Sequence, residues 1–309
     1  MALSPELFKR LSRLNRELVR ERLTTADQPP PPRAGAAAAG QVPAAADLET
    51  LIPGETREAL GGHFYLVRRR AEEFAFGPPD SSGGRSGDGK GLVGLYRRVF
   101  FGAALAVGPD DVHEDLRPLV LADPGAVAYL DIETCGLAGE PLFLVGLMRY
   151  RDDTLLIEQF LARDYSEERP VLAAVRQALA DAACLVTFNG KTFDLPTVTA
   201  RSLACGLFGR LAAPEHVDLL FEARRRWKGV LPNCRLQTLE ELICGRRRAG
   251  DIPGCDIPAA YHEFVRSQRA DDPARRMRSL RCLQTILHHN ALDLLTMADL
   301  VTCILSGRQ

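Results

Sequence analysis

Between residues 126 and 188 short apolar runs follow one another in quick succession, and this limits the folds open to the chain more than any other feature. The first is Ala126-Val127-Ala128-Tyr129-Leu130. The second runs from Pro141 through Leu142 to Met148, and the third from Thr154 to Leu161. Each has the length of a strand and is bounded by turn-forming residues. Arg151-Asp152-Asp153 between the second and third is a turn, which predicts a hairpin. Ser166, followed by Glu167 and Glu168, opens a helix with acids at its positive end, running to about Ala183. Cys184-Leu185-Val186-Thr187-Phe188 is a fourth strand, and His216-Val217-Asp218-Leu219-Leu220 a short fifth. The order strand, hairpin, helix, strand predicts an α/β protein with a mixed sheet covered by helices.

The first strand runs into Asp131-Ile132-Glu133-Thr134-Cys135-Gly136-Leu137. Residues two apart on a strand point to the same side, so Asp131 and Glu133 present two carboxylates together. Like charges held close are costly unless a cation lies between them, and hard cations such as Mg²⁺ and Mn²⁺ take oxygen ligands. Taken alone, the same residues also describe a strand that simply ends in solvent. Two further acidic motifs follow. In Asn189-Gly190-Lys191-Thr192-Phe193-Asp194-Leu195-Pro196 the Asn-Gly pair makes a tight turn, and Asp194 stands where a helix begins. A helix-capping role is the alternative for Asp194. Lys191 is either a solvated loop charge or a phosphate contact. The third motif is His288-His289-Asn290-Ala291-Leu292-Asp293. His289 and Asp293 are four apart and share one helix face, whereas His288 shares it only if the helix begins after it. A surface hydrogen bond is the alternative for this pair.

The formal net charge of -1 over 309 residues gives no global sign of nucleic-acid binding, so any basic groove must be local. Arg224-Arg225-Arg226-Trp227-Lys228 and Arg246-Arg247-Arg248 are the local clusters. Aromatic stacking with phosphate neutralisation is how single strands are held; a solvated basic face over a core Trp is the alternative. No apolar run reaches membrane-spanning length and no signal-peptide pattern follows Lys9, Arg10 and Arg13, so a cytoplasmic location is expected. None of the 8 cysteines forms a Cys-x-x-Cys pair, which suits buried free thiols, although Cys234, Cys244 and Cys255 could supply three metal ligands.

The chain divides by texture. Residues 1–26 predict an amphipathic helix, with Leu7, Leu11, Leu14 and Leu18 at helical spacing, and residues 27–47 a Pro- and Ala-rich flexible linker. Residues 48–125 read as a small, less regular accessory region. It holds a strand over 62–67, the basic run Arg68-Arg69-Arg70 and a Gly- and Ser-rich break from Pro78 to Gly91. The α/β domain spans 126–309, with 273–306 read as two closing helices.

Taken in order, the three motifs resemble the DEDD exonuclease superfamily, which has a ribonuclease H-like fold, and within it the YprB-type ribonuclease H-like family. The likeness is carried by Asp131 to Leu137, by Phe188 to Pro196, by Leu231-Pro232-Asn233-Cys234-Arg235-Leu236-Gln237-Thr238-Leu239-Glu240 and by His289 to Asp293. It implies that Asp131, Glu133, Asp194 and Asp293 hold two metal ions, Mg²⁺ or Mn²⁺. Such ions, about 3.5–4 Å apart, clamp the attacking and leaving oxygens of a phosphodiester. A side chain titrating near neutrality would take the proton of the attacking water. Members of the family place a His five residues before the last Asp or a Tyr four before it. This chain has His at both offsets, and His289 fits the helical geometry, with His288 the alternate. Asn189 and Lys191, on the turn before Asp194, are the expected substrate contacts. The implied activity is a metal-dependent nuclease on DNA or RNA, a 3′–5′ exonuclease, with a place in DNA repair. The implied partners are a single-stranded 3′ end and a helicase. The competing classes are a nucleic-acid-binding module with a weak or silent site, serving a helicase or repair partner, and an endonuclease of the resolvase type.

Overall fold

The computed structural model describes residues 47–74, 89–102, 108–136, 139–209, 211, 215–248 and 250–307. The helix expected over 1–26, the linker up to residue 46, most of the break after Pro78, and Leu137 lie outside the described residues.

Seven strands are present among the described residues: β1 (Glu55–Ala59), β2 (Gly62–Arg70), β3 (Val127–Thr134), β4 (Leu142–Arg151), β5 (Thr154–Leu161), β6 (Cys184–Thr187) and β7 (Glu215–Asp218). They form one sheet in the order β1-β2-β5-β4-β3-β6-β7. β1 through β5 pair antiparallel, while β6 runs parallel to β3 and β7 parallel to β6. The helices are α1 (Leu48–Leu51), α2 (Gly89–Phe101), α3 (Arg117–Leu121), α4 (Glu168–Ala178), α5 (Asp194–Ala204), α6 (Leu219–Trp227), α7 (Leu236–Leu242), α8 (Ile257–Ser267) and α9 (Pro273–Leu305). This is the mixed, helix-flanked sheet that the order of elements predicts.

The β4–β5 hairpin forms as expected. Asp152 and Asp153 both take positive φ, 48° and 62°, the backbone a two-residue hairpin turn needs. Each strand alternates between two faces, and the apolar residues accordingly collect into two clusters. One joins Ala128, Leu130 and Ile132 of β3 to Val171 and Val175 of α4 and Tyr261 and Phe264 of α8. The other joins Val127 and Tyr129 to Tyr96 of α2 and the C-terminal half of α9. Fully burying a side chain such as Leu283 or Ile286 of α9 contributes about 1.5–3 kcal/mol before conformational entropy is counted.

Four boundaries differ from the sequence reading. The segment read as two helices over 273–306 forms one 33-residue helix, Pro273–Leu305, because no Gly or Pro interrupts the chain after Pro273. Asp272 caps it by accepting the Arg275 amide at 2.9 Å. The helix after β5 ends at Ala178, and Asp164 rather than Ser166 caps the turn that leads into it. The fifth strand stops at Asp218, whose side chain caps α6, so Leu219 and Leu220 are helical. Region 48–125, read as accessory, places β1 and β2 on the edge of the same sheet, with β2 paired to β5.

Candidate active site

The acids of the three motifs arrive from three elements. Asp131 and Glu133 stand at the C-terminal end of β3, on the face turned toward α9. The β3–β4 ladder shifts register between Glu133 and Thr134, an irregularity that re-aims side chains beside it. Asp194 is the first residue of α5. The capping position belongs to Phe193, which makes no side-chain cap, so the capping role does not consume the Asp194 carboxylate. Asp293 comes from the middle of α9.

These carboxylates feel one another strongly. Burial, reinforced by the charges of Asp293, Glu133 and Asp194, pushes Asp131 far above the carboxylate range. Burial pushes Glu133 up to about 8; the His289 charge opposes this, and Asp293, Asp194 and Asp251 add to it. Asp194 rises to about 7 through burial, with Asp218 and Asp293 adding and backbone hydrogen bonds opposing. Buried like charges in such a group favour the protonated form until a cation compensates them.

The two histidines part company. His289 directs Nδ1 to Asp251 Oδ1 at 2.7 Å and Nε2 to Asp293 Oδ2 at 3.6 Å. With the proton on Nδ1 toward Asp251, Nε2 is left as the acceptor on the acid side. Burial lowers the His289 pKa, but the Asp251 hydrogen bond and the charges of Asp293 and Glu133 outweigh it and leave it raised. His288 instead stacks on Phe74, ring centroids 5.8 Å apart and planes 12° from parallel.

Several residues of the site carry no signal of their own in the sequence. Asn290, fully buried, donates to Asp131 Oδ2 at 2.7 Å and accepts from Gln159 at 2.8 Å. Arg248 places its guanidinium among three carboxylates. It reaches Glu240 at 2.5 Å and Asp251 at 3.2 Å, and also pairs with Asp293. Asp218 accepts the backbone amides of Asn189 at 2.8 Å, Lys191 at 3.0 Å and Leu220 at 3.1 Å, and so fixes the turn before Asp194. Asn189 takes φ 68° there, and a Cβ on Gly190 would meet Thr187 Oγ1 at 2.2 Å, so the tight approach requires glycine.

Beside the acids lies an open cleft of about 520 Å³. Asp131, Asp293, Asn189, Asn233, Arg224 and Arg235 contribute to its walls. Lys191 is not on that wall; its ammonium stands 5.1 Å from the Phe221 ring centroid. The basic clusters are largely neutralised. Arg225 and Arg226 pair with Glu222, Arg247 with Glu241 and Arg246 with Asp299, and Trp227 is a core residue. Arg68 pairs with Glu55 and Glu158 across the sheet edge. Cys234 and Cys255 do not join Cys244 as metal ligands. Among the described residues, Cys244, Asp299 and Cys303 are the one set of three such donors within 4.8 Å of one another. None of the eight cysteines forms a disulfide.

A profile of the RNase H superfamily matches residues 128–305. The chain is also similar to the uncharacterized protein YprB of Bacillus subtilis (strain 168), 34% identical over 176 residues. That match covers 56% of this chain but 40% of the relative, so the chain spans well under two thirds of YprB's length. Among solved structures there is a likeness to the family B DNA polymerase of the hyperthermophilic archaeon Pyrobaculum calidifontis, with TM-score 0.44 and 20% identity over 58% of this chain and 24% of that one. No helix among the described residues is long and apolar enough to cross a membrane. The profile takes in nearly all of β3 through the end of α9, the elements that carry Asp131, Glu133, Asp194 and Asp293, and the chain belongs to the RNase H superfamily.

Proposed function

We propose that this chain is a metal-dependent nuclease that hydrolyses phosphodiester bonds of DNA or RNA, working as an exonuclease from a 3′ end. Membership of the RNase H superfamily supports a nuclease-type hydrolase. The observation that carries the finer reading is the electrostatic coupling of Asp131 with Glu133, Asp194 and Asp293, drawn from three separate elements. The donor set suits Mg²⁺ or Mn²⁺. It is all carboxylate oxygen, and its mutual repulsion is what a bound cation relieves. When bound, ions held by Asp131, Glu133, Asp194 and Asp293 would supply Lewis-acid polarisation of the phosphate and acidify the attacking water. The protein's own share is proton transfer and orientation. His289 Nε2 accepts the proton of the attacking water, while Asp251 fixes the ring and stabilises the imidazolium that results. Asn290 holds Asp131 in place. A cytoplasmic role in DNA repair beside a helicase completes the proposal.

The pairing of Arg248 with Asp293 favours a second reading, a nucleic-acid-binding module whose site is weak or silent. One assay separates the two. Oligonucleotides of DNA and RNA, single-stranded and duplex and labelled at the 5′ end, are incubated with Mn²⁺, Mg²⁺ or EDTA. A ladder of progressive shortening, abolished by EDTA and by Asp194→Ala, is the expected result. Wild-type protein that binds these strands but leaves them all intact would install the binding module instead. Cleavage of a covalently closed circle would point to an endonuclease.

A further inference from the structure

We infer that Arg224 and Arg235 form a phosphate clamp that holds the backbone of a nucleic-acid strand beside the acids. The inference rests on the nuclease reading above and names two residues that hold its substrate. With a net charge of -1, attraction for a polyanion must come from local, uncompensated cations. Near the acids most guanidinium groups are already matched. Arg225 pairs with Glu222 and Asp115, Arg226 with Glu222, and Arg248 with Glu240, Asp251 and Asp293. Arg224 and Arg235 differ. Both are exposed, and among the described residues neither guanidinium has an ion-pair or hydrogen-bond partner. Both line the cleft that Asp131 and Asp293 also line.

The two arginines are held by independent elements. Arg224 projects from the last turn of α6, which Asp218 caps at the other end. Arg235 is fixed from its backbone. Asn233 Oδ1 accepts the Arg235 amide at 2.9 Å and the Thr238 hydroxyl at 2.7 Å, which sets the entry to α7. A guanidinium presents a planar fork matched to phosphate oxygens. One phosphate at the acids and its neighbours on Arg224 and Arg235 would draw a strand along the cleft. Asn189 and Asn233 on the same wall offer amide groups to a sugar or a base edge. At about 520 Å³ the cleft falls in the size range of a pocket for one small ligand, about 300–1,000 Å³. Trp227 lies in the core, so retention comes from the phosphates and not from stacking on that ring.

The test reads binding without cleavage. Fluorescence anisotropy follows a 5′-labelled oligothymidylate in EDTA, with salt varied, for wild type, Arg224→Gln/Arg235→Gln and Arg224→Lys/Arg235→Lys. A single-stranded phosphate contact contributes about 0.7 to the slope of log affinity against log salt, so losing two lowers that slope by about 1.4. The Gln pair is expected to show this change with at least about tenfold weaker binding at low salt, and the Lys pair to retain most of the slope. The nuclease assay runs in parallel. If the Gln pair binds with wild-type affinity and slope, the clamp is overturned, and continued cleavage by wild type leaves the nuclease reading standing. If wild type cleaves nothing, that reading falls, and the salt titration still decides the clamp.

Discussion

Asn290 donates its side-chain amide to the Asp131 carboxylate at 2.7 Å, and the bare Cα of Gly146 is what lets it reach. Asp131, Gly146 and Gln159 stand abreast on β3, β4 and β5, with Gly146 in the middle. Asn290 descends from α9 over that glycine and links the residues on either side. A Cβ on Gly146 would lie 2.2 Å from Asn290 Oδ1. Asn290 is therefore a positioning residue. Asn290→Ala should lower Mn²⁺ affinity and turnover by about 10–100-fold, the usual cost of losing a group that orients a metal ligand. It should also destabilise the fold by about 1–3 kcal/mol, since the Gln159 amide loses its side-chain acceptor. Gly146→Ala should reproduce the loss of Mn²⁺ affinity without deleting a polar group. Manganese titration followed by thermal shift measures both, and an unaltered Gly146→Ala protein would show that the placement of Asn290 is unimportant.

The acid cluster makes stability depend on pH in a definite direction. A carboxyl whose folded pKa lies above its unfolded value binds extra protons in the native state, so stability falls as pH rises between the two values. Glu133 at about 8 and Asp194 at about 7 place that window between about 4 and about 8, and Asp131 acts in the same sense. His289, also raised, loses its contribution as pH climbs past its own pKa, again in the same sense. Asp251, lowered, opposes only at the acid end. In EDTA, urea melts should therefore show a loss on the order of a few kcal/mol between about pH 5 and about pH 8.5. Asp194→Asn should flatten the profile, and Mn²⁺ should raise the melting temperature more at about pH 8 than at about pH 6. Stability that climbs with pH in EDTA would contradict the clustering of these acids.

Arg248 supplies the positive charge that lets Glu240, Asp251 and Asp293 share a buried corner. Removing one member of a buried ion pair leaves its partner uncompensated, at a cost of about 3–5 kcal/mol. Arg248→Met should show a loss of that size in urea unfolding. Arg248→Met/Glu240→Gln should recover part of it, because the neutral amide that replaces the Glu240 carboxylate leaves no charge stranded there. A single-variant loss under about 1 kcal/mol would mean that the guanidinium is not needed to hold the corner together.

What the sequence discloses follows from the range of the interactions involved. The hairpin is legible because Asp152 and Asp153 are neighbours and their backbone preference is local. The two carboxylates on β3 are legible because alternation is a property of one strand. The Arg246-Arg247-Arg248 run shows where local pattern stops. Side-chain exposure is 3% at Arg246, 70% at Arg247 and 7% at Arg248, so the chain turns alternate arginines inward. Their partners lie on α7, on α9 and in the loop at Asp251, and three identical letters cannot show which of them are buried. The sequence divides α9 in two because its apolar pattern changes partway. Leu280 and Leu283 join one core cluster, Leu294 and Leu295 the other, and the change falls around His289 and Asn290. The pairing of β2 with β5 joins residues about ninety positions apart, and no short window contains it.

The two adjacent histidines offer the sharpest separation of roles. His289 faces Asp251 and Asp293, whereas His288 lies against Phe74, whose ring also carries the Arg69 guanidinium 4.1 Å from its centroid. Burial and the Arg69 charge lower the pKa of His288, which keeps that ring neutral and apolar in character. If His289 accepts the proton of the attacking water, His289→Ala should cut turnover by about 10²–10⁴-fold with little change in the affinity for single strands. His288→Ala should leave turnover within a few-fold of wild type and appear chiefly as lost stability, about 1 kcal/mol from the aromatic contact. Asp251→Asn should fall between the two, because it keeps His289 present but loosens its orientation. Single-turnover rates for the three variants, set beside their urea midpoints, distinguish chemistry from folding. A large rate loss in His288→Ala with unchanged stability would reverse the assignment and make His288 the proton acceptor.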